Sequence, residues 1–260
     1  MEQVKSVPPE VPRYNEVGTR SGRVVLCAAG QSTLEMLPLI KKRKADGIPV
    51  CAVKGVANVL IENGVVPDYA VFMDSQENQT RFFDNPHPDV TYYIASNCHP
   101  KVFEALKGFK VIQWHASSIE LLKAGGFKGY YITGGRTTGL RSVNLMRSMG
   151  FDTLEMFGYD CCFRERSHIY DKPKYARTVM ALVGEREFTT TLDMMGQHED
   201  FLRILERAPE TKFIVMGNGM IVHALKEFVL QKSKPCPWYF LPAFSVDDLD
   251  ERGNLKENAA

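Results

Sequence analysis

From Arg23 onward, short apolar runs alternate with longer stretches whose apolar residues recur at helical spacing. RVVLCAA (23–29) is almost entirely apolar, the pattern of a parallel strand buried on both faces. Gly30, Gln31, Ser32 and Thr33 interrupt it, and LEMLPLIKKRKADG (34–47) reads as a helix stopped by Gly47. A strand in PVCAV (49–53), an apolar-periodic segment from Val56 to Ile61 stopped by Asn63-Gly64, and a strand in DYAVFMD (68–74) follow. The rhythm repeats with VTYYIAS (90–96) and a helix near 100–107, then FKVIQW (109–114) and a short helix around 117–123. YYIT (130–133) reads as a strand before a glycine-rich turn and a helix over 138–150. TLEMFG (153–158), a helix over 194–207, TKFIVMG (211–217) and a helix from Met220 to Leu230 complete the series. Such alternation predicts an α/β fold, a Rossmann-like three-layer sandwich with a mainly parallel central sheet and right-handed crossovers.

The polar stretches divide the chain. Residues 1–22, with Pro8, Pro9 and Pro12, read as an irregular arm lying on the surface or on a partner. Residues 23–244 read as a single Rossmann-like domain, with 159–187 a long polar functional loop and 245–260 an acidic, flexible tail. At 260 residues the chain buries most of the surface it exposes when unfolded and needs no covalent staples.

Composition adds mainly exclusions. A net charge of +1 gives no overall grip on nucleic acid or membrane, although a local basic groove, and with it nucleic acid, stays open. The six cysteines are scattered, with no CxxC pair for a zinc ribbon or a thioredoxin-type centre. The N-terminal segment has no apolar stretch for a signal peptide, and no run approaches the roughly 20 apolar residues of a membrane span. The expectation is a cytoplasmic protein with reduced thiols.

In open α/β sheets, ligands bind beyond the carboxyl ends of the strands where the strand order reverses. That rule directs attention to the turns. Gly30, Gln31 and Ser32 offer backbone N–H groups to a phosphate at a helix start, and serve equally as a capped strand-to-helix turn. Gly134, Gly135, Arg136, Thr137, Thr138 and Gly139 let backbone approach a ligand and supply donors. Neither a GxGxxG fingerprint nor a P-loop occurs. Asp74 and Asp160, each ending an apolar strand, suit Mg²⁺ or a ribose hydroxyl, or cap the next segment. His168, beside Arg164 and Arg166, and His198 are candidate proton carriers, with Asp160 a further catalytic candidate. His115 follows a strand and can face the same cleft, whereas His87 lies between prolines in a surface loop.

Five pieces then fall in a recognisable order: Ala29-Gly30-Gln31-Ser32, Gly64-Val65-Val66-Pro67-Asp68-Tyr69, Asp74, Gly134 to Gly139, and Gly158-Tyr159-Asp160. Over roughly 23–170 the chain resembles the 6-hydroxymethylpterin diphosphokinase MptE-like Rossmann family. The resemblance implies a transferase using a nucleotide-activated donor. Archaeal members move pyrophosphate from ATP to a hydroxymethyl pterin with Mg²⁺; bacterial members include the central domain of flagellin-modifying glycosyltransferases, similar to sialyltransferases that bind a CMP-sugar. Asp74-Ser75-Gln76-Glu77-Asn78 stands where archaeal members have an aspartate-rich segment, and Gln31 where the family usually has proline. The chain is nearer the bacterial branch, so the expected reaction is sugar transfer from a nucleotide-sugar to an acceptor hydroxyl. ATP-dependent pyrophosphate transfer is the alternative, and a non-catalytic nucleotide-binding or assembly module the second. The acceptor is not specified, and oligomerisation stays open.

Overall fold

The strand that opens the alternation, β1 (Arg23–Cys27), is buried from Val24 to Cys27, which explains why a polar residue appears only at its first position. The protein is described here by a computed structural model, covering residues 8–116, 130–163, 169, 178–223, 225 and 239–240. After β1 come α1 (Ser32–Glu35) and α2 (Leu37–Ala45), then β2 (Val50–Val53), α3 (Val56–Glu62) and β3 (Tyr69–Phe72). A 3₁₀ segment (Glu77–Phe83) leads to β4 (Thr91–Ala95), α4 (Pro100–Ala105) and β5 (Lys110–Trp114). The second half holds α5 (Thr138–Met149), β6 (Thr153–Phe157), β7 (Val179–Val183), β8 (Arg186–Thr190), α6 (Leu192–Arg207), β9 (Lys212–Val215) and β10 (Tyr239–Phe240).

Eight strands form one sheet in the order β10-β9-β6-β1-β2-β3-β4-β5, and every pairing in it is parallel. With helices packed on this sheet, the architecture is Rossmann-like α/β. The chain builds outward from β1 to β5, then returns to place β6 on the other side of β1. Strand order therefore reverses between β1 and β6. Inside the sheet, β6 carries Glu155, fully buried, whose carboxylate accepts from Arg43 Nε of α2 at 3.0 Å and from Arg23 at 3.3 Å.

Three expectations need correction. The helix expected over 34–47 is two helices, broken at Met36 (φ −99°, ψ 13°); Pro38, in the first turn of α2, has no N–H to continue the ladder of α1. YYIT (130–133) is not a strand: Tyr131 makes one isolated bridge to His115, and the backbone turns away at Gly134 and Gly135, both at positive φ. The stretch 159–187 is not all loop, because β7 and β8 form an antiparallel hairpin with Gly184 at φ 59° in its turn. The helix expected at 117–123, most of 164–177, and the 245–260 tail lie outside the described residues.

The described part of the arm runs beside β5. Tyr14 N donates to Gln113 O and Gln113 N to Pro12 O, each at 2.7 Å, and Tyr14 is buried with its hydroxyl 2.6 Å from Ser148 Oγ. The arm thus covers an edge whose backbone groups would otherwise be open. Its prolines do not prevent this, since Pro12 contributes only its carbonyl.

Candidate functional site

A cleft of about 450 Å³ opens where the strand order reverses. Its wall is made from the ends of five strands: Gly30 after β1, Lys54 after β2, Asp74 after β3, Asn97 after β4 and Asp160 after β6. Arg136 to Gly139, leading into α5, close it from above the sheet. The first N–H groups of a helix have no intrahelical acceptor and carry the positive end of its dipole. A 12-residue helix begins here, so the cleft favours an anion at its mouth.

Asp160 lies at the floor and is buried. Its Oδ1 accepts from Ser32 Oγ at 2.6 Å and its Oδ2 from Ser32 N at 3.0 Å, while Ser32 Oγ accepts from Gly158 N at 2.9 Å. Glycines make room for it. A methyl on Gly30 would collide with Asp160 Oδ2 and lie 2.6 Å from the Gly158 carbonyl; one on Gly219 would lie 2.6 Å from the Asp160 carbonyl. The Ser32 N–H, offered by sequence to a phosphate, is thus taken by a carboxylate. Gly30 lines the cleft, while Gln31 is half-buried and Ser32 fully buried, and neither is among the lining residues.

At the next strand ends, Lys54 Nζ donates to Asp74 Oδ2 at 2.6 Å, and Gln76 N donates to Asp74 Oδ1 at 3.1 Å. Lys54 sits at φ 52°, a left-handed conformation that costs a residue with a Cβ about 1–2 kcal/mol. Asn97 Oδ1 is buried and has no hydrogen-bond partner among the described residues. Both aspartates reach the cleft, yet each of their four carboxylate oxygens already accepts a hydrogen bond. Among the described residues no group of three His, Cys, Asp or Glu side chains could hold a metal ion. These residues do not form a protein-only cation cage.

The glycine-rich turn divides between two clefts. Arg136, Thr137, Thr138 and Gly139 face the strand-end cleft, whereas Gly134 and Gly135 line a second one. Thr137 Oγ1 caps α5 by accepting from Leu140 N at 3.4 Å, and Thr138 Oγ1 donates to Met73 O at 3.3 Å. Gly139 lies against Tyr159, where a methyl would come within 3.3 Å of the ring. Gly134 and Gly135 let the chain fold back on α5: Asn144 Nδ2 donates to Thr133 O at 2.8 Å and Arg141 Nε to Gly135 O at 2.8 Å. That is a packing reason for two of the three glycines. Arg136 lies over Gly196 of α6, with its Nε 2.9 Å from Asp200 Oδ2.

The histidines separate by location. His198, on α6, is not among the residues lining either cleft; its Nδ1 is buried without a partner among the described residues, and burial lowers its pKa. His115 is buried with Nδ1 2.8 Å from Ser96 Oγ, and burial followed by Arg13 lowers its pKa. His87 sits beside Tyr92, whose hydroxyl accepts from its backbone N–H at 2.7 Å. His168, Arg164 and Arg166 lie outside the described residues. Lys54, Asn97 and Gly219 went unremarked in the sequence. Lys54 directly follows a strand, so the strand-end rule contained the signal; Gly219 becomes meaningful only once the fold brings it against Asp160.

A parallel α/β sheet with a polar cleft at its switch point defines the class, that of Rossmann-like ligand-binding domains. The family model described as "6-hydroxymethylpterin diphosphokinase MptE-like" matches residues 2–166, and the chain belongs to this MptE-like family. No curated protein matches. Among solved structures, the MAf glycosyltransferase from Magnetospirillum magneticum AMB-1 is similar, with a TM-score of 0.67 and 16% identity. The similarity covers 84% of this chain and 35% of that one, so this chain spans about a third of the neighbour's length. It is a likeness of fold. Among the described residues no helix is long and apolar enough to cross a membrane.

Proposed function

We propose that the protein transfers a sugar from a nucleotide-sugar to an acceptor hydroxyl, with the donor's phosphates at the strand-end cleft. The observation that carries this is the convergence of the α5 N-terminus, Lys54 and Arg136 on one cleft of about 450 Å³ at the switch point. The acceptor oxygen would bond to the sugar's anomeric carbon as the bond to the donor phosphate breaks, and the leaving phosphate would take that electron pair. Fixed positive charge and helix N–H groups aimed at the developing negative charge lower such a barrier. Asp74 would hold Lys54 in place, and Asp160 would fix the turns after β1 and β6 relative to each other. The proton from the acceptor hydroxyl is assigned to His168, eight residues beyond Asp160 in sequence, in preference to His198, which is not on the cleft wall.

The fold likeness to a glycosyltransferase supports sugar transfer, and the family's description supports the second reading, pyrophosphate transfer from ATP. One experiment separates them. The protein is incubated with CMP- and UDP-sugars or with ATP, with and without Mg²⁺, and the released nucleotide is identified. CMP or UDP release supports sugar transfer, and AMP release supports pyrophosphate transfer. Release from none of the donors would leave a non-catalytic nucleotide-binding module.

A further inference from the structure

The second cleft, about 560 Å³, lies between α5 and α6 and shares the 133–139 turn with the first. Its volume falls within the roughly 300–1,000 Å³ range of small-molecule sites. Three guanidinium groups line it, Arg147 from α5 with Arg203 and Arg207 from α6, against a single carboxylate, Asp200.

The charges are unequally satisfied. Asp200 is already shared: Oδ2 accepts from Arg136 N at 3.0 Å and Arg136 Nε at 2.9 Å, and Oδ1 from Arg203 at 3.3 Å. Arg147 is held rigidly, by Asn144 Oδ1 at 3.0 Å, Thr211 Oγ1 at 2.9 Å and Glu210 Oε1 at 2.6 Å. The Arg207 side chain makes no hydrogen bond or ion pair with the described residues. Arg203 and Arg207 are four residues apart on α6, a spacing at which like charges repel and weaken a helix. An anion between them turns that repulsion into attraction. Guanidinium forks match the paired oxygens of phosphate and carboxylate, and a groove lined by one sign of charge concentrates ions of the other.

We propose that this groove is a second binding site, separate from the strand-end cleft, for a small molecule bearing a phosphate or carboxylate oxyanion. Arg147 supplies the rigid contact, while Arg203 and Arg207 close on the ligand from α6. Both α6 arginines are exposed, so replacing them removes charge without opening the core.

The test is calorimetric titration of the full chain with pyrophosphate and, separately, with citrate, at fixed ionic strength. Wild type, the Arg203→Ala/Arg207→Ala double variant and Lys54→Gly are compared, with melting curves confirming that each is folded. Arg203→Lys/Arg207→Lys, which keeps charge but loses the forks, is the fallback if the alanine variant melts early. The proposal expects saturable binding to wild type, weakened at least about tenfold by the double variant and retained in Lys54→Gly, which alters only the strand-end cleft. Binding of pyrophosphate alone names phosphate as the ligand group; binding of citrate alone names carboxylate. Undiminished binding in the arginine variants, or no saturable binding of either anion to wild type, overturns the proposal.

Discussion

Asp160 and Ser32, 128 residues apart in sequence, are joined twice: the carboxylate accepts from the serine hydroxyl at 2.6 Å and from its backbone N–H at 3.0 Å. The pair ties the turn after β1 to the turn after β6, across the point where strand order reverses. Because Ser32 and Asp160 are buried, removing the carboxylate leaves the hydroxyl and N–H of Ser32 without their acceptor. Asp160→Ala is expected to cost on the order of 2–4 kcal/mol. Asp160→Asn, which keeps one acceptor oxygen, should cost less. Urea midpoints of the two variants check the order, and equal stability would contradict it.

Gly30 is held to its identity by the same carboxylate. Gly30→Ala must displace both Asp160 Oδ2, which the Ser32 N–H holds in place, and the backbone carbonyl of Gly158. The expected loss is about 1–3 kcal/mol, together with a reduced response to donor, because the displaced groups form the cleft floor. A melting curve with and without donor measures both.

Much of this fold was legible because buried parallel strands have an unmistakable pattern. β1, β2, β3, β4 and β6 are short, largely apolar runs soon followed by a polar residue or glycine, and the strand-end rule pointed to Asp74 and Asp160, which the fold brings to one cleft. What was missed depends on contacts between distant segments. β7 is itself an apolar run, VMALV, with Met180 and Leu182 exposed and Ala181 buried between them, but the polar residues on either side give 159–187 as a whole the composition of a loop. Tyr131 has the composition of a strand residue, but Gly134 and Gly135 withdraw the chain after one bridge. The engagement of Ser32 N by Asp160 could not be seen either, since a free helix N-terminus and one occupied by a carboxylate have the same local sequence.

Glu155 is the buried carboxylate of the sheet, and Arg43, itself nearly buried, is its main partner. Glu155→Ala takes away the carboxylate that faces the nearly buried Arg43 guanidinium, so a loss of about 3–5 kcal/mol is expected. Arg23→Ala removes a partner whose side chain is 36% exposed and should cost under about 1 kcal/mol. Guanidinium unfolding of the two variants gives the comparison.

Acid should destabilise the protein through His115 and His198. Burial lowers both from the ordinary value of 6.5, most directly by penalising the charged ring. In the unfolded chain these rings take up protons near pH 6.5, whereas in the folded chain they resist until the pH is lower. Stability therefore falls as the pH drops below about 6.5, because the unfolded state binds more protons there. Replacing His198 with Gln should flatten that fall without changing the response to donor. Melting temperatures between pH 8 and 5 test it, and an unchanged slope would remove His198 from the account.

The most direct test of the central claim is the stability of wild type and Lys54→Gly with CMP- and UDP-sugars and ATP, with and without Mg²⁺. Glycine accepts the positive φ of position 54 without strain, so the variant should remain folded while losing the ammonium group in the cleft. A donor at about 100 times its dissociation constant should stabilise wild type by about 2.7 kcal/mol, and the variant by clearly less at the same concentration. The account predicts that pattern with a nucleotide-sugar. No shift with any of these ligands, or equal shifts in both proteins, would contradict a donor site at the strand ends.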